Sequence, residues 1–486
     1  MSVPIALTRP PRTDAAADRL RVLLVSAFDL GHQPFGLASP AAWLSSQGAV
    51  VACLDLAVQK LDEAAVREAD LIGFYLPMHT ATRILAGVVP RVRELNPDAH
   101  LCAYGLYAPV NQELLQGIGI DSIIGGEFEE PLADLARHLR PRQVNGQLIS
   151  PPQISLGRQD FQVPDRSGLP ALSDYAFVTL PDGTRRVVGY TEATRGCKHL
   201  CRHCPIVPVY GGQFRVVQRD IVLADIRQQV AAGAQHITFG DPDFFNGPAH
   251  ATAIVQALHE EFPDVTYDVI IKVQHLVAHR DRLPILRQTG CILVTSAVES
   301  VDENILEYFD KRHTREDFAS AVTTLRDLGI GLNPTFVAFT PWTTMDGYLR
   351  FLTEIDELGL VENVTPIQFA IRLLIPEGSK LLDLPDVRDL VEPFDPVSLV
   401  YPWTHPDPAV DALQRDVLAL TAEAVGEGRP RAVFFDQLWA LANAAAGQPG
   451  RSRAAGVRPI SLPVPQFSEP WYCCAEPTET QLAPPV

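Results

Sequence analysis

Three of the chain's eight cysteines fall within eight residues, spaced Cys197-x3-Cys201-x2-Cys204, in the loop Thr194-Arg195-Gly196-Cys197-Lys198-His199-Leu200-Cys201-Arg202-His203-Cys204. An odd number of thiols this close cannot all pair as disulfides. Three thiolates can instead converge on one inorganic cluster, since thiolate is the ligand that iron–sulfur clusters take. A four-iron cubane held by three cysteines leaves one iron free for a small molecule. Zinc is the alternative. Closed structural zinc sites take four protein ligands, usually as two pairs; no second pair lies nearby, although His199 and His203 could complete a set.

With its flanks, this loop resembles the radical S-adenosylmethionine (SAM) superfamily. The resemblance implies a [4Fe-4S] cluster on Cys197, Cys201 and Cys204, with SAM chelating the fourth iron through its amino and carboxylate groups. It implies homolytic cleavage of SAM by the reduced cluster, and an electron donor such as a flavodoxin or ferredoxin. His203 stands where the family often has an aromatic residue.

A length of 486 residues fits about three domains, and a hydrophobic fraction of 47% is ordinary for globular proteins. The net charge is −18, with 40 basic against 58 acidic residues and no run of Lys/Arg, which argues against nucleic acid as the main partner. No stretch of about 20 apolar residues exists, so no membrane span is expected. The N-terminus is not a secretory signal. The expected compartment is the reducing cytoplasm, where cysteines act as ligands or catalysts. Residues 1–18 read as a disordered lead-in.

Residues 19–140 alternate apolar runs with helical segments. Strands are expected at Arg21–Ser26, Val50–Leu54, Ala69–Tyr75, His100–Tyr104 and Ile120–Ile124, the pattern of a doubly wound parallel sheet. Its ligand crevice would lie at the strand carboxyl ends, in loops carrying Asp29, His32, His79, Gly105, Tyr107 and Gly126-Glu127. The domain resembles the cobalamin-binding-like domain that precedes many radical SAM cores. The matches are Pro34-Phe35-Gly36-Leu37-Ala38 and Gly126-Glu127-Phe128-Glu129. Where that family has Gly-Gly this chain has Tyr104-Gly105, and the cobalt-ligating Asp-x-His-x-x-Gly signature is absent. Cobalamin binding and a degenerate covering domain both stay open.

Residues 141–187 read as an irregular linker. Residues 188–385 resume the strand–helix alternation, with strands expected at Arg186–Thr191, Ala234–Phe239, Val265–Ile271, Cys291–Val298, Gly331–Phe339 and Val364–Leu374. That is a partial (β/α)6 barrel, with its site at the strand carboxyl ends. Several polar residues collect there. The resemblance puts Gly240-Asp241-Pro242-Asp243 where the family keeps a Gly-Gly-Glu motif for the SAM amino group, and Ser296 and Glu299 near the SAM ribose. Lys272 and Arg372 are cations that suit the SAM carboxylate or an anionic substrate. For Glu299, capping of the next helix is the plainer alternative, and Cys53, Cys102 and Cys291 read as small buried hydrophobes.

Residues 386–486 form an extension with two helices and a Pro-rich tail containing Trp471-Tyr472-Cys473-Cys474-Ala475-Glu476-Pro477. Vicinal thiols suit redox work, nucleophilic attack, or capture of a soft element such as arsenic or selenium. The ending resembles a radical SAM subgroup with a Cys-Cys-Ala-Glu-Pro or selenocysteine-containing tail. That resemblance implies a catalytic role for Cys473 and Cys474. The expected protein is thus an α/β radical SAM enzyme modifying a small molecule, with the tail thiols as partner. Cobalamin-dependent radical methylation of a natural-product intermediate and an iron–sulfur redox sensor are the alternatives.

Overall fold

The computed structural model describes residues 19–139, 153–451, 453 and 464–469. Two compact units emerge. Of the described residues, the first holds those up to Asp29 and those between Pro34 and Pro170, and the second holds Leu30–Gln33 and those from Ala171 to Glu469. Cys473, Cys474 and the lead-in fall outside the described residues.

The first unit is a doubly wound sheet. Strands β1 (Arg21–Ser26), β2 (Val50–Asp55), β3 (Leu71–Tyr75), β4 (His100–Tyr104), β5 (Ser122–Gly126) and β6 (Gln153–Ser155) lie in the order β2-β1-β3-β4-β5-β6. All of these pairings are parallel. Strand side chains alternate between faces, so β1 sends Leu23 and Val25 to one core and Val22 and Leu24 to the other. On one side lie helices α2 (Glu63–Glu68), α3 (His79–Leu95) and α4 (Gln112–Gly117). On the other lie α1 (Phe35–Ser46) and α5 (Glu129–His138). The sixth strand comes from the stretch expected to be linker. Its short Gln153–Ser155 run meets the open edge of β5, and Glu127 N–H donates to Ser155 O at 2.7 Å.

The second unit is the half-barrel. Parallel strands β8 (Arg185–Thr191), β11 (His236–Phe239), β12 (Thr266–Ile270), β13 (Cys291–Glu299) and β14 (Gly331–Phe336) run side by side in that order. The cysteine loop leaves the barrel through the short hairpin β9 (Thr194–Gly196) with β10 (Phe214–Val216). Antiparallel β7 (Phe177–Thr179) extends the sheet beyond β8, and β15 (Gln466–Phe467) pairs antiparallel with β7. The outer helices in chain order are α6 (Val207–Tyr210), α7 (Arg219–Ala231), α8 (Pro248–Glu261), α9 (Val273–Ala278), α10 (Leu283–Gln288), α11 (Glu303–Tyr308), α12 (Arg315–Leu328) and α13 (Met345–Glu357). Then come α14 (Pro385–Arg388), α15 (Pro408–Gly426) and α16 (Arg431–Ala445). A capping box at Thr314–Asp317 starts α12, and Gly329, left-handed at φ 69°, ends it.

The expected sixth barrel strand, Val364–Leu374, does not form. Pro366 opens a 3-10 turn over Pro366–Phe369, and what remains is a single parallel bridge, Phe339 to Arg372. Phe339 N–H donates to Ile371 O, and Leu373 N–H donates back to Phe339 O. A proline with no N–H, followed at once by helical dihedrals, cannot extend a ladder.

Candidate active site

The cysteine loop is held from both flanks. Asn246, just beyond β11, accepts from Lys198 N–H at 3.2 Å and donates through its amide to Gly196 O at 3.1 Å. On the far side, Arg202 N–H donates to Phe309 O, and the Arg202 guanidinium donates to Glu307 O and Tyr308 O. Cys204 N–H donates to Cys201 O, which turns the last two cysteines toward each other in the chain. Gly196 must be glycine: its φ is +72°, and a Cβ would lie 2.3 Å from the Tyr210 ring and 2.6 Å from Gln213 O. Burial pushes the Cys197 thiol up to about 11, so its deprotonation depends on the charge of a bound metal.

Beside the loop lies a buried charge cluster. Glu299 Oε1 is 3.1 Å from His203 Nε2 and 3.3 Å from Lys311 Nζ. All three side chains are nearly inaccessible. Burial alone would raise the Glu299 carboxyl, but Lys311 and then His203 outweigh it and hold the group down at about 2. Burial lowers His203, against the pull of Glu299. Glu299 has φ +70°, where the β13–β14 register slips between Ala297 and Glu299. A non-glycine residue held there is strained, and such strain collects at functional sites. Glu299 does not cap the next helix; Asp302 does, accepting from Asn304 N–H. His203 also packs its ring on Phe309, with centroids 4.4 Å apart.

Other sequence-expected residues divide into those already engaged and those left open. Asp241 is engaged: its Oδ1 accepts from the Thr194 hydroxyl at 2.6 Å and its Oδ2 from Ala193 N–H at 2.9 Å. Burial raises its carboxyl to about 7 despite these bonds. Gly240 is a close-approach position, since a Cβ there would lie 1.8 Å from the Tyr190 hydroxyl oxygen. Arg372 is also engaged. Its guanidinium donates to Asp411 and to Trp403 O, and stacks 3.6 Å over the Trp403 ring.

Lys272, at the carboxyl end of β12, is buried, and its Nζ has no hydrogen-bond partner among the described residues. The same holds for Ser296 Oγ, fully buried on β13, and for both ring nitrogens of His313. Burial, then Lys311 and Lys272, lowers His313 to about 3. A buried ammonium and hydroxyl without partners are costly unless a ligand satisfies them. An anionic, hydroxyl-bearing ligand would satisfy them, and a loop held at both flanks suits three thiolates on one inorganic cluster.

Sequence reasoning missed His275, Lys311 as the partner of Glu299, and His313. The nearest signal was the Asp310-Lys311 run, with His313 two positions on. His32, expected on the first domain's crevice, instead belongs to the second unit, its ring 4.9 Å from that of Tyr190.

In the first unit, the loops after β4 and β5 turn through Gly105 and Gly126, whose absent Cβ atoms make room for Leu76 O and Ser155 O. Tyr104, which departs from the cobalamin-binding pattern, and Phe128, which stands where the usual Gly-Glu-Gly-Glu of that pattern has its second glycine, are core residues. Their rings and that of Tyr75 pack 5.1–5.8 Å apart on the α1 side of the sheet. The Tyr104 hydroxyl donates to Gly36 O at 2.8 Å. The space behind the strand-end loops, toward α1, is thus filled by side chains.

Residues 191–344 match the family model of the radical SAM superfamily, and this stretch is a radical SAM domain. The chain is 24% identical over 361 residues to the hopanoid C-3 methylase of Methylococcus capsulatus, covering 71% of this chain and 68% of the relative. Among solved structures it resembles TsrM from Kitasatospora setae, a radical SAM methyltransferase determined with cobalamin and a [4Fe-4S] cluster bound. The TM-score is 0.55 at 17% identity, covering 70% of this chain and 72% of that one. TsrM has also been determined with tryptophan as substrate and a SAM analogue. The cobalamin-dependent SAM radical enzyme OxsB superposes with TM-score 0.63 at 14% identity, covering 82% of this chain and 66% of that one.

Proposed function

We propose that this protein is a cobalamin-dependent radical SAM methyltransferase acting on a small molecule. The carrying observation is the extent of the likeness. OxsB matches 82% of the chain, far more than the radical SAM stretch 191–344, so the pairing of a doubly wound unit with a half-barrel is itself shared. In this reading Cys197, Cys201 and Cys204 hold the [4Fe-4S] cluster, whose reduction a flavodoxin or ferredoxin supports. Bound there, the cluster supplies the electron that cleaves SAM, and cobalamin supplies methyl-carrier chemistry.

The chain's own residues bind and orient. The Lys272 ammonium pairs with the SAM carboxylate, and Ser296 bonds a ribose hydroxyl. Glu299, Lys311 and His203 form a rigid charged wall beside the cysteines, and burial of that wall keeps water from the reacting centre. Asp241 and Arg372 act at one remove: Asp241 fixes the entry to the cysteine loop, and Arg372 anchors α15. Asp243 belongs to a separate cluster of side chains.

A specific observation also favours a role for the tail thiols as redox or soft-element partner. Strand β15 runs antiparallel to β7 and hence in the direction of β8, toward the barrel's carboxyl ends, and the last described residue, Glu469, two positions beyond β15, precedes Cys473 by only four positions. Serine at both Cys473 and Cys474 should then reduce turnover while leaving cluster iron unchanged. Unaltered turnover removes the tail from the chemistry.

The main reading is tested by anaerobic turnover with methyl-labelled SAM and dithionite, using protein reconstituted with iron, sulfide and cobalamin. Retention of about one corrinoid per chain, read from its visible absorbance, together with 5′-deoxyadenosine formation, is expected. 5′-Deoxyadenosine from protein that retains no corrinoid would refute the cobalamin part and leave the radical SAM part standing.

A further inference from the structure

Three side chains that the proposed reaction leaves unused meet beside the cysteine loop. His199 comes from the loop itself, two residues after Cys197. Asp243 follows β11, where its Oδ1 accepts from Phe245 N–H at 3.1 Å and so starts a short turn. His275 lies in the first turn of α9, directly after β12. Adjacent parallel strands deliver Asp243 and His275 from their carboxyl ends, the end where barrel chemistry gathers.

The remaining carboxylate oxygen, Asp243 Oδ2, stands 2.6 Å from His275 Nδ1 and 3.4 Å from His199 Nε2. The three atoms lie within 4.8 Å of one another. Asp243 and His275 are about 1% and 5% exposed, and His199 about 10%. Despite this closeness, none of the three atoms has a hydrogen bond of acceptable direction among the described residues. Three ligand-type atoms that converge at this distance without a well-directed hydrogen bond suit a cation.

We propose that His199, Asp243 and His275 form a mononuclear site for a borderline divalent first-row cation, separate from the iron–sulfur cluster and next to it. Two imidazoles and one carboxylate suit zinc or ferrous iron better than calcium or magnesium. Three protein ligands leave further coordination positions open, which is the pattern of reactive rather than closed structural sites. The ligand set carries one negative charge, so a bound dication leaves a net charge of +1 at the site. The proposal stands whether or not the protein binds cobalamin.

Zinc(II) is the probe. Cluster-reconstituted full-length protein carrying Cys473→Ser and Cys474→Ser, which removes the tail thiols as competing ligands, is incubated with zinc under anaerobic conditions, desalted and analysed for zinc and iron. About one zinc per chain is expected, with cluster iron unchanged. In the same background, His199→Gln with His275→Gln should lower zinc at least tenfold while iron content and the unfolding midpoint stay near the parent values. Asp243→Asn, which keeps the Oδ1 acceptor for Phe245 N–H, should do the same and guards against misfolding of the double histidine variant. Zinc at background level in the parent protein overturns the proposal. So does zinc retained at parent level in both the histidine and the Asn variants.

Discussion

Replacing Glu299 with Gln removes a charge without changing the backbone strain or the side-chain volume. Because Glu299 is almost fully buried, the fall of its carboxyl from the ordinary 4.5 to about 2 is what remains of its attraction to Lys311 and His203 after the cost of burial. At 1.36 kcal/mol per pKa unit, that fall corresponds to about 3 kcal/mol. Leaving Lys311 buried without its counter-ion costs a similar amount, since breaking a buried pair typically costs about 3–5 kcal/mol. The assay is urea unfolding of the cluster-free protein under reducing conditions, followed by tryptophan fluorescence. Trp342 reports locally, as it stacks on Tyr308 with centroids 4.1 Å apart. Glu299→Gln should lose about 3 kcal/mol at pH 7, and Glu299→Gln with Lys311→Met should regain most of it. The pH dependence follows from a folded-state pKa below the unfolded one. The contribution of Glu299 is complete above 4.5 and disappears as pH falls toward 2. The single-variant deficit should therefore shrink over that window. A deficit under about 0.5 kcal/mol at pH 7, or a double variant no better than the single, would refute the reasoning.

Asp241 behaves in the opposite sense. Its folded-state pKa is raised to about 7, so its favourable contribution is complete below 3.8, declines as pH rises from there to about 7 and is gone above it; the stability gap between wild type and Asp241→Asn should narrow between about pH 4 and 7. Gly196→Ala must place a Cβ against Tyr210 and Gln213 O at positive φ, and should lower the iron and sulfide bound per chain by more than half. Arg372→Lys loses the stack on Trp403 and the fork to Asp411. It should cost about 1 kcal/mol of unfolding free energy while the SAM dissociation constant stays unchanged. Lys272→Met should do the reverse, weakening SAM binding at least tenfold in equilibrium dialysis with no loss of stability. Because Tyr75, Tyr104 and Phe128 fill the space toward α1, cobinamide, which lacks the nucleotide tail, should bind as tightly as cobalamin in an absorbance titration.

Both parallel sheets were legible because their strands are short apolar runs separated by helical periods, a signal that survives in a single sequence. The cysteine loop was legible because three thiols at that spacing have few other uses. The sixth barrel strand misled because Val364–Leu374 is rich in apolar residues, and the single Pro366 near its start decides the outcome locally. The roles of polar residues were the hardest to read. Asp241 and Asp243 sit two positions apart, yet one is consumed by Thr194 and Ala193 while the other faces two imidazoles. Nothing in their spacing separates them. His275 and Lys311 come from segments remote from the cysteines in sequence, and only the barrel topology brings them to the loop. Glu299 shows the same limit: its charge was visible, whereas its left-handed backbone and its partners depend on the slip in register beside β14.

The central claim is that Cys197, Cys201 and Cys204 hold the centre that cleaves SAM. It is tested most directly by anaerobic incubation of iron- and sulfide-reconstituted protein with dithionite and SAM, set beside Cys197→Ala, with 5′-deoxyadenosine quantified by chromatography and mass spectrometry. The account predicts 5′-deoxyadenosine from the wild type and none above background from the variant. Wild-type protein that carries about four irons and four sulfides per chain, binds SAM and yields no 5′-deoxyadenosine would contradict it.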